Sequence, residues 1–470
     1  MMLSGKALSD DQIQQVRAAS EEILQRVGCR VLDQRALALF RKAGAKVEEP
    51  SGTVRLPRQL LRELVAQAPG RYEVRGLDGI VREVGGGRQW GKAITNDPWI
   101  IDYQTLEPRR PRVEDVRRNT ILAQSLDRIL GASCMDFPLS DVPGPHASLR
   151  ALEVYFLHHA KHNFAFVTSV ESLNRWLRIG RILARGADLR GSRLFTVAVA
   201  TLTPLTVTGM NVEFLRIACE HDFPVVPTVC PTAGMTSPYT LSGTLALGNA
   251  EILFLLALAQ LHRPGHPFLY AFGPAVANMR NGACLYYTLD KVLWKLASVE
   301  LGKSYGLPVA AECGGTMVHR FDQQSGAEGM LFMLAAVTSG ADLLPGFGST
   351  HNAVGHCTEM MLVQNAYLEA AQFLRRGIRT DAARLAVESA ARAGPGGQYL
   401  TDDLTLEHLR GDEFFSHEMF DHTGDSAQSR PMLQRAHEQV EAMVAGFRSP
   451  VPEDVQEELR RLFREEMRGA

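Results

Sequence analysis

From Val113 to Arg375 the chain alternates short apolar runs with amphipathic helical stretches, and few architectures accept that pattern. The helical stretches are Val113–Ile129, Ala147–His159, Ser172–Ala184, Asn211–His221, Leu241–Leu261, Thr288–Tyr305, Gly326–Ser339 and Met360–Arg375. Between them lie the strand-like runs Leu130–Met135, Phe164–Thr168, Leu194–Thr201, Phe223–Val229, Phe268–Phe272, Leu307–Ala311 and Ala341–Pro345. Seven or eight strand–helix units over roughly 300 residues predict a (β/α)8 TIM barrel, an α/β fold, rather than an open sheet. No GxGxxG follows the first strand, which argues against a dinucleotide-binding domain.

The barrel has additions at both ends. Ser9–Val27 reads as a helix capped by Ser9 and ended by Gly28, followed by helices over Asp33–Ala43 and Pro57–Ala68. Tyr72–Pro108 has strand-like runs broken by glycines and is expected to form β-hairpins or a small antiparallel sheet. Within it, Asn96, Asp97 and Trp99 form a compact polar and aromatic cluster. Ala382–Ala393 is a further helical stretch, and Leu433–Ala445 and Pro452–Arg468 read as closing helices with solvated charged faces. The expected division is residues 1–104 for the helical and hairpin extension, 105–425 for the barrel and 426–470 for the C-terminal helices.

Composition narrows the function classes. Of 470 residues 45% are hydrophobic and 22% charged, with a net charge of −2, so nothing draws the chain to nucleic acid or an anionic membrane. The opening residues lack the apolar core of a signal peptide, and the most apolar run, Ile252–Leu261, is too short to span a bilayer. Seven cysteines stand singly with no CxxC, as expected for reduced thiols of a cytoplasmic protein.

The unusual chemistry concentrates between Ala310 and Cys357. Glu312, Cys313, Gly314 and Gly315 follow one predicted strand; Phe347, His351, Asn352 and His356 follow the next. In a parallel α/β fold that end of the strands is where ligands bind, so the two loops are expected to face one cavity. Cys313, His319, His351, His356 and Cys357 are metal-ligand types, but the paired spacing of a zinc site is missing, so no metal is expected. No GxSxG marks a nucleophile. Glu312 and His351 are the candidate acid–base groups. Trp99, Tyr239, Phe272, Tyr286, Tyr287 and Phe347 sit at or after strand ends, where aromatic faces can hold a quaternary ammonium.

Several segments carry a resemblance to a known family. They are the N-terminal stretch SDDQIQQVRAASEEILQRVGCRVLD and its continuation, DYQTLEPRRPRVEDVRR, PTAGMTSPYTLSGTLALGNAEILFLLALAQL, and GADLLPGFG with the long helix ending FLRRGI. Over residues 8–415 the chain resembles the trimethylamine methyltransferase family. The resemblance implies a (β/α)8 barrel that moves a methyl group from a methylated amine to the cobalt of a partner corrinoid-binding protein. It implies no cofactor bound by the chain itself, the cobalamin being carried by the partner. The chain has only the twenty standard residues and so is similar to the pyrrolysine-lacking, glycine betaine methyltransferase-like subset.

The expected substrate is then a quaternary amine such as a betaine. Its nitrogen has no lone pair for a proton or metal to act on, so a strong nucleophile, positioning and exclusion of water suffice. Arg280, His351 and Asn352 are candidates for its carboxylate; Trp99, Tyr286 and Phe347 for its methyl groups; Glu312 and His356 complete the expected substrate-binding set. A homo-oligomer is expected. The segment FFSHEMFDHTGDSAQSRPML departs from the family pattern, and no tryptophan follows Trp294, so the C-terminal region reads as shortened. The alternatives are a barrel that only binds the amine, as sensor or scaffold, and a metal-dependent hydrolase or lyase using His351 and His356.

Overall fold

The computed structural model describes residues 4–144, 146–425 and 427–469. Eight strands, here β1–β8 in chain order, run Trp90–Asn96, Ile129–Cys134, His162–Ala165, Phe195–Ala200, Val225–Thr228, Tyr270–Ala271, Val309–Ala310 and Leu343–Phe347. They form one sheet in the order β5-β4-β3-β2-β1-β8-β7-β6, all pairs parallel. Val225 at the head of β5 bridges Phe268 just before β6, with the Leu269 amide donating to the Val225 carbonyl at 2.9 Å, and so closes the ring. A helix follows every strand, which completes the (β/α)8 barrel.

One sequence expectation is corrected. Trp90–Asn96 is not part of an antiparallel hairpin: it is β1, pairing in parallel with β8 and β2. The barrel therefore starts at Trp90, inside the region assigned to the N-terminal extension. The hairpin that does form is Tyr72–Arg75 with Val81–Val84. Its Tyr72, Val74 and Val84 pack on Trp90, Leu130, Phe164, Ala198, Val226, Leu269, Ala310 and Leu343, inward residues of seven strands and, in Leu269, the residue just before β6. The hairpin thus plugs the bore at the N-terminal ends of the strands.

The helix after β5, Leu241–His262, is long and apolar enough by composition to cross a membrane, more so than the run Ile252–Leu261 suggests. Here 83% of its most apolar window is buried, because the helices Asp10–Glu22 and Arg58–Val65 cover its outer side. A helix apolar all round belongs in a core of this kind. Its buried Glu251 is held by the Thr203 hydroxyl at 2.8 Å and the Leu205 amide. Ser9 caps the first helix as expected, and Gly28, at φ 83°, ends its last turn. The closing helices Met432–Gly446 and Glu453–Gly469 lie along the barrel, the first on Thr358–Arg376 and Val113–Ser125, the second on His146–His158 and Val170–Leu183.

Candidate active site

Above the plug the bore opens into a cavity of about 460 Å³ at the C-terminal ends of the strands. Inward residues of the strands make its lower wall, among them Lys92, Phe164, Val226, Ala310 and Leu343, with Phe166 just past the end of β3. Loops after the strands make the upper wall, with Phe137, Phe272, Tyr286, Tyr287, Ser349 and Asn352. Two small sheets frame the mouth. One joins Trp99–Ile101, Pro108–Arg109, Ser349–Thr350 and Gly355–His356; the other joins Thr232–Ala233, Ala275–Ala277 and Cys284–Leu285. The loops after β7 and β8 do line one cavity, through Glu312 on one side and Ser349, Asn352, Ala353 and Val354 on the other.

Glu312 is the hub of the polar wall. Tyr286 donates its hydroxyl to Oε1, while the ammonium groups of Lys291 and Lys295 lie 2.9 and 2.8 Å from Oε2. The orientation of the Lys291 contact makes it an ion pair rather than a directed hydrogen bond, and Lys295 directs a bond of 2.6 Å to the Phe272 carbonyl. The two lysines share a helix face because they are four residues apart in the first turns of Asp290–Ser304. Burial pushes the Glu312 carboxyl up, but the two ammonium groups outweigh it and hold the acid ionised, well below the usual carboxylate range. Burial also pulls the Lys291 ammonium down, and Glu312 restores part of it.

A second set of charges lies on β1 and just after it, two strands round the ring from β7. Burial lowers Lys92 to about 8, against the opposing pull of Asp97 and Glu312. Burial raises Asp97 to about 7, and Lys92 draws it back. Asp97 Oδ2 accepts no hydrogen bond and lies 3.9 Å from Nδ1 of His356, a ring that burial keeps neutral by lowering it to about 4. Cys230 opens onto the cavity, yet the surrounding chain raises its thiol to about 11, so it stays protonated.

Asn352 fixes the geometry of the mouth. Its side chain accepts from the Tyr286 amide at 2.7 Å and donates to the Cys284 carbonyl at 2.7 Å, tying the loop after β8 to the loop after β6. His351, Asn352 and Ala353 all have positive φ, at 47°, 55° and 64°, a strained run for residues other than glycine. The His351 and Asn352 amides hold it by donating to Val318 and Thr316.

Of the eight expected substrate-binding residues, Tyr286, Glu312 and Asn352 line the cavity; the other five lie outside it. Trp99 is at the rim beneath Arg110, whose guanidinium is 3.9 Å from its ring. Arg280 is exposed on the turn between Ala275–Ala277 and Cys284–Leu285. Phe347 is fully buried against Gly91, because it points out of the bore rather than into it. His351 turns its ring to His319, 5.4 Å away. His356 packs flat on Gly348, where a Cβ would fall 1.9 Å from the ring. Phe272 and Tyr287 line the cavity, and Tyr239 is exposed on the rim. Among the described residues no three His, Cys, Asp or Glu side chains converge as a metal centre requires. Sequence reasoning missed Lys92, Lys291 and Lys295. The available signal for the last two was their phase: they share a face with Ser298 and Gly302, the small residues that pack on the barrel.

Residues 3–468 match the family model described as Trimethylamine methyltransferase (MTTB). The chain is 25% identical to a trimethylamine methyltransferase of Desulfitobacterium hafniense, covering 97% of this chain and 93% of that protein. It is 26% identical to a glycine betaine methyltransferase of another strain of that species, covering 94% and 93%. Among solved structures it is similar to the monomethylamine methyltransferase of Methanosarcina barkeri, at 12% identity and a TM-score of 0.47, covering 94% of this chain and 96% of that one.

Proposed function

The chain belongs to the trimethylamine methyltransferase family, and on that premise we propose that it moves a methyl group from a quaternary amine of the betaine class to the corrinoid cobalt of a partner protein. The observation that carries this reading is the cavity: largely apolar, aromatic on its upper wall, and closed below by the hairpin plug. Phe137, Phe272 and Tyr287 give a methylated cation several π faces, each worth about 0.5–2 kcal/mol when well placed. Glu312 is already neutralised by Lys291 and Lys295, so it stiffens the wall and orients the Tyr286 ring.

A cob(I)alamin on the partner supplies the nucleophile: the methyl leaves without the C–N bonding pair, which stays on nitrogen as the lone pair of a neutral tertiary amine. The chain's own residues need donate no proton to that leaving group. They hold the cation in line with the mouth and keep water from the reacting carbon. A docking face is at hand around the mouth, where Met235, Tyr239, Met279, Leu289 and Leu293 are exposed on the loops after β5 and β6 and the start of the next helix.

Neither histidine of the hydrolase or lyase alternative reaches the cavity, so that reading is set aside. The test is to incubate the purified protein with tetramethylammonium, choline, glycine betaine or carnitine, with and without cob(I)alamin, and to weigh the products. Loss of one methyl group from a quaternary substrate, only when the corrinoid is present, is the expected result. Demethylation with no corrinoid in the mixture overturns the mechanism.

A further inference from the structure

Three lysines line or adjoin the cavity, and two of them, Lys291 and Lys295, are spent on Glu312. Lys92 is different. It is the third residue of β1, is 5% exposed, and directs its side chain into the bore. Its ammonium lies 4.1 Å from the Phe166 ring centroid and 5.1 Å from that of Phe164, and it makes no hydrogen bond or ion pair with any described residue. Asp97 and Glu312 act on it only at longer range. A buried cation without a partner is costly to keep, so its survival in a cavity points to an anion brought by the ligand.

Depth fixes the orientation. Lys92 is one inward step above Trp90, the β1 residue of the plug. Phe272 and Tyr287, which can face a methylated cation, belong to the upper wall beside the mouth, whereas the Tyr286 ring already carries the Lys291 ammonium. A ligand held by its cation at the floor would bury the methyl groups against a closed end. A ligand held by its anion at the floor presents them to the opening, where an acceptor on another protein must arrive.

We propose that Lys92 anchors the carboxylate of the substrate, so that the cavity selects zwitterionic quaternary amines and holds them carboxylate down, methyl groups towards the mouth. The proposal rests on the quaternary-amine reading of the site above, and it replaces Arg280, His351 and Asn352 as the expected carboxylate contacts. Lys92 is a specificity and positioning residue: it touches the far end of the substrate and leaves the reacting carbon to the aromatic wall.

Glycine betaine and choline test it, since they share a trimethylammonium head and differ in carboxylate against hydroxymethyl. Calorimetry without any corrinoid should show the parent protein preferring glycine betaine by about tenfold or more, the scale of one charge-assisted hydrogen bond. Lys92→Met should lose that preference while binding choline no worse, and Lys92→Arg should keep part of it. Circular dichroism melts of both variants separate lost binding from lost folding. A parent with no preference for glycine betaine, or a Lys92→Met protein that keeps the preference, overturns the proposal. A protein that prefers glycine betaine through Lys92 yet transfers no methyl group to cob(I)alamin would sink the reaction proposed above and leave the anchor standing.

Discussion

The two ends of the barrel bore are built from the same strands and finished in opposite chemistries. At the lower end Trp90, Leu130, Phe164, Leu269 and Leu343 meet the hairpin residues Tyr72, Val74 and Val84, all buried and without a charge among them. One inward step further along, β1 contributes Lys92, and two residues after β7 comes Glu312 with its two lysines. Strand pairing and ring closure are indifferent to this difference, since every pair keeps its parallel ladder. Packing explains the lower end by itself. The upper end costs desolvation that apolar side chains would avoid, so its charges are kept for what enters the cavity.

The largest expected effect tests the lower end. Trp90 is 6% exposed and donates its indole N–H to the Glu83 carbonyl at 2.9 Å, stitching β1 to the hairpin. Trp90→Ala should lower stability by about 3–5 kcal/mol in thermal and denaturant unfolding. A loss below roughly 1 kcal/mol would mean that the plug does not support the barrel.

The next effect has the opposite sign and belongs to the upper end. Folding lowers Lys92 from 10.5 to about 8, so between those values the unfolded chain binds more protons than the folded one. Stability from this group is therefore fully present above pH 10.5 and lost as pH falls through 8. Lys92→Met should raise the stability of the ligand-free protein by up to roughly 3 kcal/mol near pH 7, and the gain should fade by about pH 10.5. Melting curves of both proteins across that range give the comparison. A gap that does not change with pH would show that the buried charge is not its cause.

The smallest effect concerns the rim. Arg280 is exposed and lies outside the cavity lining, so Arg280→Ala should change stability by less than about 0.5 kcal/mol and leave glycine betaine affinity within error in calorimetry. A tenfold loss would move the carboxylate site from the floor to the mouth.

The strand–helix alternation was legible because buried parallel strands are short apolar runs bounded by turns, as most of β2–β8 are; β3, with the sequence HNFA, was met only in its second half by the expected run Phe164–Thr168. β1 was not: its sequence WGKAITN carries a lysine, a threonine and an asparagine, and it follows Gly85–Gly87, which reads as a hairpin boundary. Lys92 was lost with it, since lysine in a strand reads as an exposed position. Tyr286, Glu312 and Asn352 were found because they follow strands. That same rule overreached for His351, His356 and Phe347, because position after a strand does not say which way a side chain turns. The left-handed run at His351–Ala353 and the packing of His356 on Gly348 decide that, and neither has a periodicity to read.

The seam between the first and last strands sets a timetable. Trp90 and Gly91 pair with Leu343 and Leu344, and the Gln89 side chain donates to the Val337 and Ala341 carbonyls across the same seam. At roughly 5–20 residues per second, a ribosome completes β8 on the order of 10 to 50 seconds after β1. The hairpin that floors the bore is made before either, and β2 occupies one edge of β1 early. Throughout that interval the other edge of β1 stays open to pairing with any passing strand, the hazard of an unfinished sheet. The first wall of the barrel to be synthesised is therefore the last to be sealed.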